Sequence, residues 1–152
     1  MAEWYAGAVI YRKKGNVTEY LVIDTKSLHP AFKGRSKVQT KFIGGTEEGH
    51  RMEDKNILGT LRRELTEETD MSLPDGWNPP VIHSENLPGH FKNFYLIPFE
   101  VLRGTLRKGD NEIDLDWMSE PQWKDRHFLA HALYPSHQAA FMKALARVDR
   151  AA

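Results

Sequence analysis

Ile57-Leu58-Gly59-Thr60-Leu61-Arg62-Arg63-Glu64-Leu65-Thr66-Glu67-Glu68-Thr69-Asp70-Met71 is the stretch whose reading decides the fold, with Gly44-Gly45-Thr46-Glu47-Glu48-Gly49 shortly before it. Ile57, Leu58, Leu61 and Leu65 recur at helical spacing and make an apolar stripe for packing on a core. Glu64, Glu67 and Glu68 stand at i, i+3 and i+4, so their carboxylates gather on another face within one turn. Like charges so placed cost a helix a few tenths of a kcal/mol per i,i+4 pair. Neither Glu67 nor Glu68 has a cationic residue four positions on, where Met71 and Ser72 stand. A divalent cation would reverse the sign of that cost, because hard cations such as Mg²⁺ bind through carboxylate oxygens. Glu-rich helix faces are mostly solvated, and the three carboxylates alone would favour that plain reading. Their company changes it: a double glycine upstream, Arg63 directly before the first carboxylate, and apolar residues at Leu65 and Met71.

Together these residues resemble the Nudix box, which runs Gly, five residues, Glu, seven residues, then Arg-Glu-apolar-any-Glu-Glu-any-Gly-apolar. Arg63-Glu64-Leu65-Thr66-Glu67-Glu68-Thr69 matches the more specific half without a gap. The first half departs from the pattern. Lys55 stands eight residues before Arg63, where the family has glutamate, and about four extra residues separate the glycines from the helix. An insertion within 50–56 accounts for both, with Glu53 or Glu48 as spatial substitutes. Asp70 replaces the closing glycine, and Asp enters the left-handed conformation of a helix C-cap more readily than most residues.

The resemblance implies an α/β fold, an α/β/α sandwich around a mixed sheet, filling one domain over residues 1–152. It implies Mg²⁺-dependent hydrolysis of a diphosphate linkage in a nucleoside diphosphate joined to another group. Glu64, Glu67 and Glu68 would hold Mg²⁺ or Mn²⁺, with a backbone carbonyl of Gly44 or Gly45 as a further ligand. Arg63 would orient a box carboxylate. Such proteins often place the general base outside the box; Glu112 is expected there, as base or metal ligand, with Glu67 as the fallback. Asp116-Trp117 is a weaker second match, an acidic residue followed by Trp after a long strand.

Composition sets the outer bounds. At 152 residues, 40% hydrophobic and 28% charged, the chain has the length and make-up of one soluble globular domain. Basic and acidic residues balance at 21 each, so no global field draws nucleic acid or a membrane surface. Cysteine is absent, which excludes disulfides and thiolate chemistry. No apolar run approaches spanning length and no leader pattern opens the chain, so a cytoplasmic protein is expected. The expected partner is a small nucleotide-type molecule, and a homodimer is left open.

Trp4–Tyr11 and Tyr20–Asp24 read as a hairpin across Lys13-Lys14-Gly15-Asn16. Tyr5, or Trp4, could stack on a substrate base or sugar; packing is the plainer role for strand aromatics. The segment 25–41 lacks a clean period and carries Lys26, Lys33, Arg35, Lys37 and Lys41 with no acidic residue. Lys41 and Arg35 are the expected contacts to substrate phosphates, against the plain alternative of a solvated loop. Val81–Leu87 and Phe91–Leu102 read as strands, with Pro98 marking an edge or bulge. Asp110–Met118 alternates acidic and apolar residues, placing Glu112, Asp114 and Asp116 on one strand face. Ser119-Glu120-Pro121 reads as a helix start, and Ser136–Val148 as the last helix. His127 and His131 have helical spacing, but Phe128 follows the first where a zinc protease carries its glutamate base.

A binding or regulatory module of the same fold, without turnover, is the second reading. Measuring product release with Mg²⁺ and with EDTA separates the two.

Overall fold

Side-chain alternation along the first hairpin divides the molecule into two faces. A computed structural model describes residues 3–27, 38–47, 55–108 and 115–150. In it β1 (Glu3–Lys14) and β2 (Val17–Ser27) are joined by Gly15 and Asn16, with Lys14 paired to Val17. Gly15 takes φ 64, the left-handed turn position that glycine fills without steric cost.

The hairpin then opens into a fork. Tyr11–Lys14 pair with Val17–Tyr20, but below that level β3 (Gln39–Thr46) enters between the two strands. Its first half pairs antiparallel with β2 (Val22 with Phe42) and its second half antiparallel with β1 (Ala8 with Ile43). β5 (Val81–Leu87) and β6 (His90–Pro98) extend the sheet, β6 running parallel to β1. β8 (Leu115–Met118) and β9 (Gln122–Asp125) both pair with the outer edge of β2. The result is a mixed seven-stranded sheet; a separate pair joins β4 (Met71–Ser72) to β7 (Arg103–Gly104).

Helices cover both faces. Ala6, Ala8, Ile10 and Ile43 meet Leu61 and Leu65 of α1 (Ile57–Thr69), all fully buried. Val9, Val22, Phe42 and Phe94 meet Leu129 of α2 (Arg126–Ala132) and Phe141 of α3 (Gln138–Arg150). This is the α/β/α sandwich with a mixed sheet that the box resemblance implied. No helix among the described residues is long and apolar enough to cross a membrane.

α1 begins where Asn56 accepts the Gly59 N–H at 2.8 Å and ends at Asp70, left-handed at φ 59, ψ 22, as its replacement of glycine requires. Several boundaries differ from the sequence reading; the last helix, expected from Ser136, starts at Gln138 after a 3-10 turn over Pro135–His137. β6 stops at Pro98, which has no N–H for the ladder, and Phe99–Val101 form a 3-10 turn instead of continuing the strand to Leu102. Ser119 does not cap a helix; its hydroxyl accepts the Asp24 N–H at 2.9 Å, and β9 follows. The real cap is Asp125, which accepts the Phe128 N–H at 3.0 Å. Nor is 25–41 a loop throughout, because β2 runs to Ser27 and β3 starts at Gln39.

Candidate functional site

Two adjacent glycines on β3 lie beneath the carboxylates of α1. Gly44 has φ 153, and a Cβ there would collide with the Ala6 carbonyl and come within 2.8 Å of Gly7 Cα. A Cβ on Gly45 would fall on the Glu64 carboxylate. Glycine is therefore required at Gly44 by the approach of backbone, whereas at Gly45 a side chain would displace the Glu64 carboxylate from its place. Thr60, Glu64 and Glu68 form an i, i+4, i+8 row on α1, beside the apolar row that grips the core, and all three are buried. Thr60 anchors the row's start, accepting the Trp4 indole N–H at 2.8 Å.

Each carboxylate has one committed oxygen and one open oxygen. Glu68 Oε1 accepts the Gly44 N–H at 2.9 Å, and Glu64 Oε1 lies 3.1 Å from Arg63 Nη1. Glu64 Oε2 and Glu68 Oε2 are buried with no hydrogen-bond partner among the described residues. Burial pushes Glu64 up from 4.5 to about 8, helped by the neighbouring Glu68 charge and opposed by Arg63 and Lys41. Burial likewise pushes Glu68 up to about 7, against the pull of Lys41 and of the Gly44 N–H. Two half-satisfied acids in a dry setting are unstable as anions and hungry for a cation.

Arg63 organises the surroundings. Its guanidinium also reaches Glu67 Oε2 at 3.0 Å and donates to the Thr46 carbonyl at 3.2 Å, so it ties the helix to the end of β3. The sequence shows no cationic neighbour for Glu67 four residues on; its partner lies four residues back, at Arg63. Lys41, on β3, donates to the Gly44 carbonyl at 3.2 Å. The backbone of Gly44 is thus held by Glu68 at its N–H and by Lys41 at its C=O, on the two successive peptide units that flank its Cα.

Tyr5 is placed differently from a stacking residue for this site. Its ring packs on the α3 side of the sheet against Phe94 and His137, with centroids 5.7 and 5.8 Å away. Its hydroxyl lies 3.3 Å from His137 Nε2. An aromatic that reaches the carboxylate row is Trp4, half-buried, bonded to Thr60 and tilted against Phe91 at 6.2 Å. His137 is the residue sequence reasoning missed. It comes from the far end of the chain, and its Nδ1 accepts the Phe42 N–H at 3.1 Å where β3 changes partners from β2 to β1. Burial holds its pKa well below the usual histidine value. No local motif could have announced it.

Arg35, Glu48, Glu53, Glu112 and Asp114 lie outside the described residues, as do most of the basic segment and of the inserted loop. His127 and His131 are exposed on α2. Among the described residues no group of three or more His, Asp or Glu side chains is arranged to hold a metal ion. The donor set nevertheless fits Mg²⁺: two open carboxylate oxygens and a backbone carbonyl are hard ligands. That ion commonly takes only one or two protein carboxylates and completes its shell with water and substrate phosphate.

No protein-family model matches the chain, and no curated protein matches it in sequence. Solved structures do match. The NUDIX domain of Shewanella oneidensis NrtR, complexed with ADP ribose, aligns over 97% of this chain and 89% of its own, at 15% identity and TM-score 0.66. A MutT structure, from a study of the Aliivibrio salmonicida and Vibrio cholerae proteins, aligns over 97% and 99%, at 12% identity and TM-score 0.67. A NUDIX hydrolase from Nitrosomonas europaea aligns over 96% and 90%, at 15% identity and TM-score 0.60. Identities this low speak for the fold alone, and the fold of this chain is the Nudix fold.

Proposed function

We propose that the protein is a Mg²⁺-dependent pyrophosphohydrolase acting on a nucleoside diphosphate linked to another group. The observation that carries the reading is the pair of buried, unpartnered oxygens of Glu64 and Glu68 above the glycine ledge. Retaining such a pair is costly unless a cation completes it. Glu64, Glu68 and the Gly44 or Gly45 carbonyl would hold the metal, with Glu67 and Glu112 as the remaining expected donors. When bound, the metal neutralises charge on the diphosphate and lowers the pKa of a coordinated water.

The chain's own residues supply the rest. Arg63 fixes the rotamers of Glu64 and Glu67 and locks α1 to β3, so the carboxylates keep their spacing. Lys41 brings positive charge to the same ledge. Trp4 offers a half-buried ring on that side of the sheet. Glu112 is the proposed base: Glu112→Gln is expected to cut turnover by about two orders of magnitude or more, with a much smaller change in KM. Asp114→Asn and Asp116→Asn are the controls. Equal damage from either would remove Glu112 from that role, and no tenfold loss in any of the three would put the base in the box.

The deciding experiment is product release from ADP-sugars, dinucleoside polyphosphates and damaged nucleoside triphosphates, with Mg²⁺ and with EDTA. Mg²⁺-dependent turnover of one class is expected. Binding of one class without turnover would establish the second reading, a nucleotide-binding module; Lys55 in place of the box glutamate is the feature that favours it.

A further inference from the structure

The two peptide units that flank the Gly44 Cα are each held by a side chain, and the two side chains are of opposite charge. The Gly44 N–H goes to Glu68, and the Gly44 C=O takes the Lys41 ammonium at 3.2 Å. Lys41 stops short of ion-pairing with the acids, whose open oxygens stay without a partner among the described residues. A primary ammonium therefore stands on the carbonyl beside the buried carboxylate oxygens between α1 and β3. An ammonium and a divalent cation there would compete for the same carbonyl and repel each other across a poorly screened space.

Arg63 cannot play this part. Its guanidinium is already spread over Glu64, Glu67 and the Thr46 carbonyl. Lys92 lies 5.9 Å above the Tyr5 ring, on the other side of the sheet. Lys41 differs from both in joining a flexible stem to a single hydrogen bond among the described residues, the one to the Gly44 carbonyl. It can leave that carbonyl without breaking any other bond described for it.

We propose that Lys41 is a built-in competitor of the metal: its ammonium occupies the Gly44 carbonyl in the metal-free protein and is displaced when a divalent cation binds Glu64 and Glu68. Lys41 thereby sets the metal affinity of the site, and once displaced it lies beside the cation, facing an anionic substrate. The inference rests on the reading of the glutamate pair as a metal site, and it does not require turnover.

The test is direct binding of Mn²⁺, followed by calorimetry and by loss of the free-ion EPR signal, in the intact protein at pH 9. Wild type, Lys41→Met and Lys41→Arg are compared. Lys41→Met removes the charge and keeps the stem; Lys41→Arg keeps the charge, and its retained fold and affinity control for packing. Mn²⁺ affinity is expected to rise by about tenfold or more in Lys41→Met and to stay within about threefold of wild type in Lys41→Arg. Metal binding by Lys41→Met where wild type shows none would support the competitor role more strongly still. Equal or weaker affinity in Lys41→Met would overturn the competitor role while leaving the metal site standing. No binding by any of the three would overturn both. Binding with the expected order but no hydrolysis would sink the enzyme reading and leave this inference intact.

Discussion

At the scale of single residues the two neighbouring acids Glu67 and Glu68 are chemically different. Glu67 is ion-paired to Arg63 at 3.0 Å, whereas Glu68 is fully buried and bonded through one oxygen to the Gly44 N–H. Glu68→Gln keeps an acceptor for that N–H and removes a buried charge. It is expected to abolish Mg²⁺-dependent hydrolysis with a Tm in EDTA equal to wild type or higher. Glu67→Gln should also impair turnover but lower the Tm, since it breaks the clamp of Arg63. A Tm in EDTA several degrees lower for Glu68→Gln would show that its carboxylate is structural. Gly45 makes the complementary case. Gly45→Ala puts a methyl group where the Glu64 carboxylate sits. The acid must swing away, so metal binding and turnover are expected to fall together, by about tenfold or more. Unchanged Mn²⁺ affinity in Gly45→Ala would mean that Glu64 is not a ligand.

At the scale of elements α1 carries the site because its rows are divided between two tasks. Leu61 and Leu65 are fully buried on Ala6, Ala8 and Ile43, while the 60-64-68 row leans over the ledge. Leu61→Ala is expected to cost about 2–5 kcal/mol in urea unfolding, the range for a buried leucine that leaves a cavity. A loss below about 1 kcal/mol would show that the helix is not seated as described. The apolar row was legible in the sequence, since periodicity fixes which residues share a helix face; the acidic row was legible in part, because Glu67 turns to Arg63 and Thr60 joins Glu64 and Glu68 in the buried row. The local turn chemistry was legible too: Gly15 closes the hairpin and Asp70 takes the left-handed cap. Long-range pairing was not. Nothing local says that β3 splits the hairpin, that β9 follows Ser119, or that His137 supplies an acceptor to Phe42 across 95 residues. Ser119 misleads because a cap serine and a serine bonding a neighbouring strand look alike until the partner, Asp24, is known. Four residues on from Glu67 the sequence offers only Met71; its partner Arg63 lies one turn back.

At the scale of the whole molecule, buried titratable groups on the two faces set opposing responses to pH. His137, sealed on the α3 side, stays neutral well below its usual 6.5. The unfolded chain takes up a proton near 6.5 that the folded one refuses, so this group removes stability as pH falls below that value. Glu64 and Glu68, on the α1 side, act in reverse. With folded values raised to about 8 and about 7 from 4.5, the metal-free folded state holds protons that the unfolded chain has released. Folded protein then binds more protons than unfolded between about pH 4.5 and pH 8, and stability falls as pH rises through that window. In EDTA the Tm of wild type is expected to drop by at least about 3 °C between pH 6 and pH 8.5, what ~1 kcal/mol does in a chain of this size. Glu68→Gln should flatten that drop. His137→Gln should leave it in place and remove the loss on the acid side. Mg²⁺ should oppose the alkaline drop, because it binds the ionised pair that the bare fold penalises, and its stabilisation should grow with pH. Equal alkaline drops in wild type and Glu68→Gln would show that the glutamate pair is not the source, and a Mg²⁺ effect independent of pH would place the cation elsewhere.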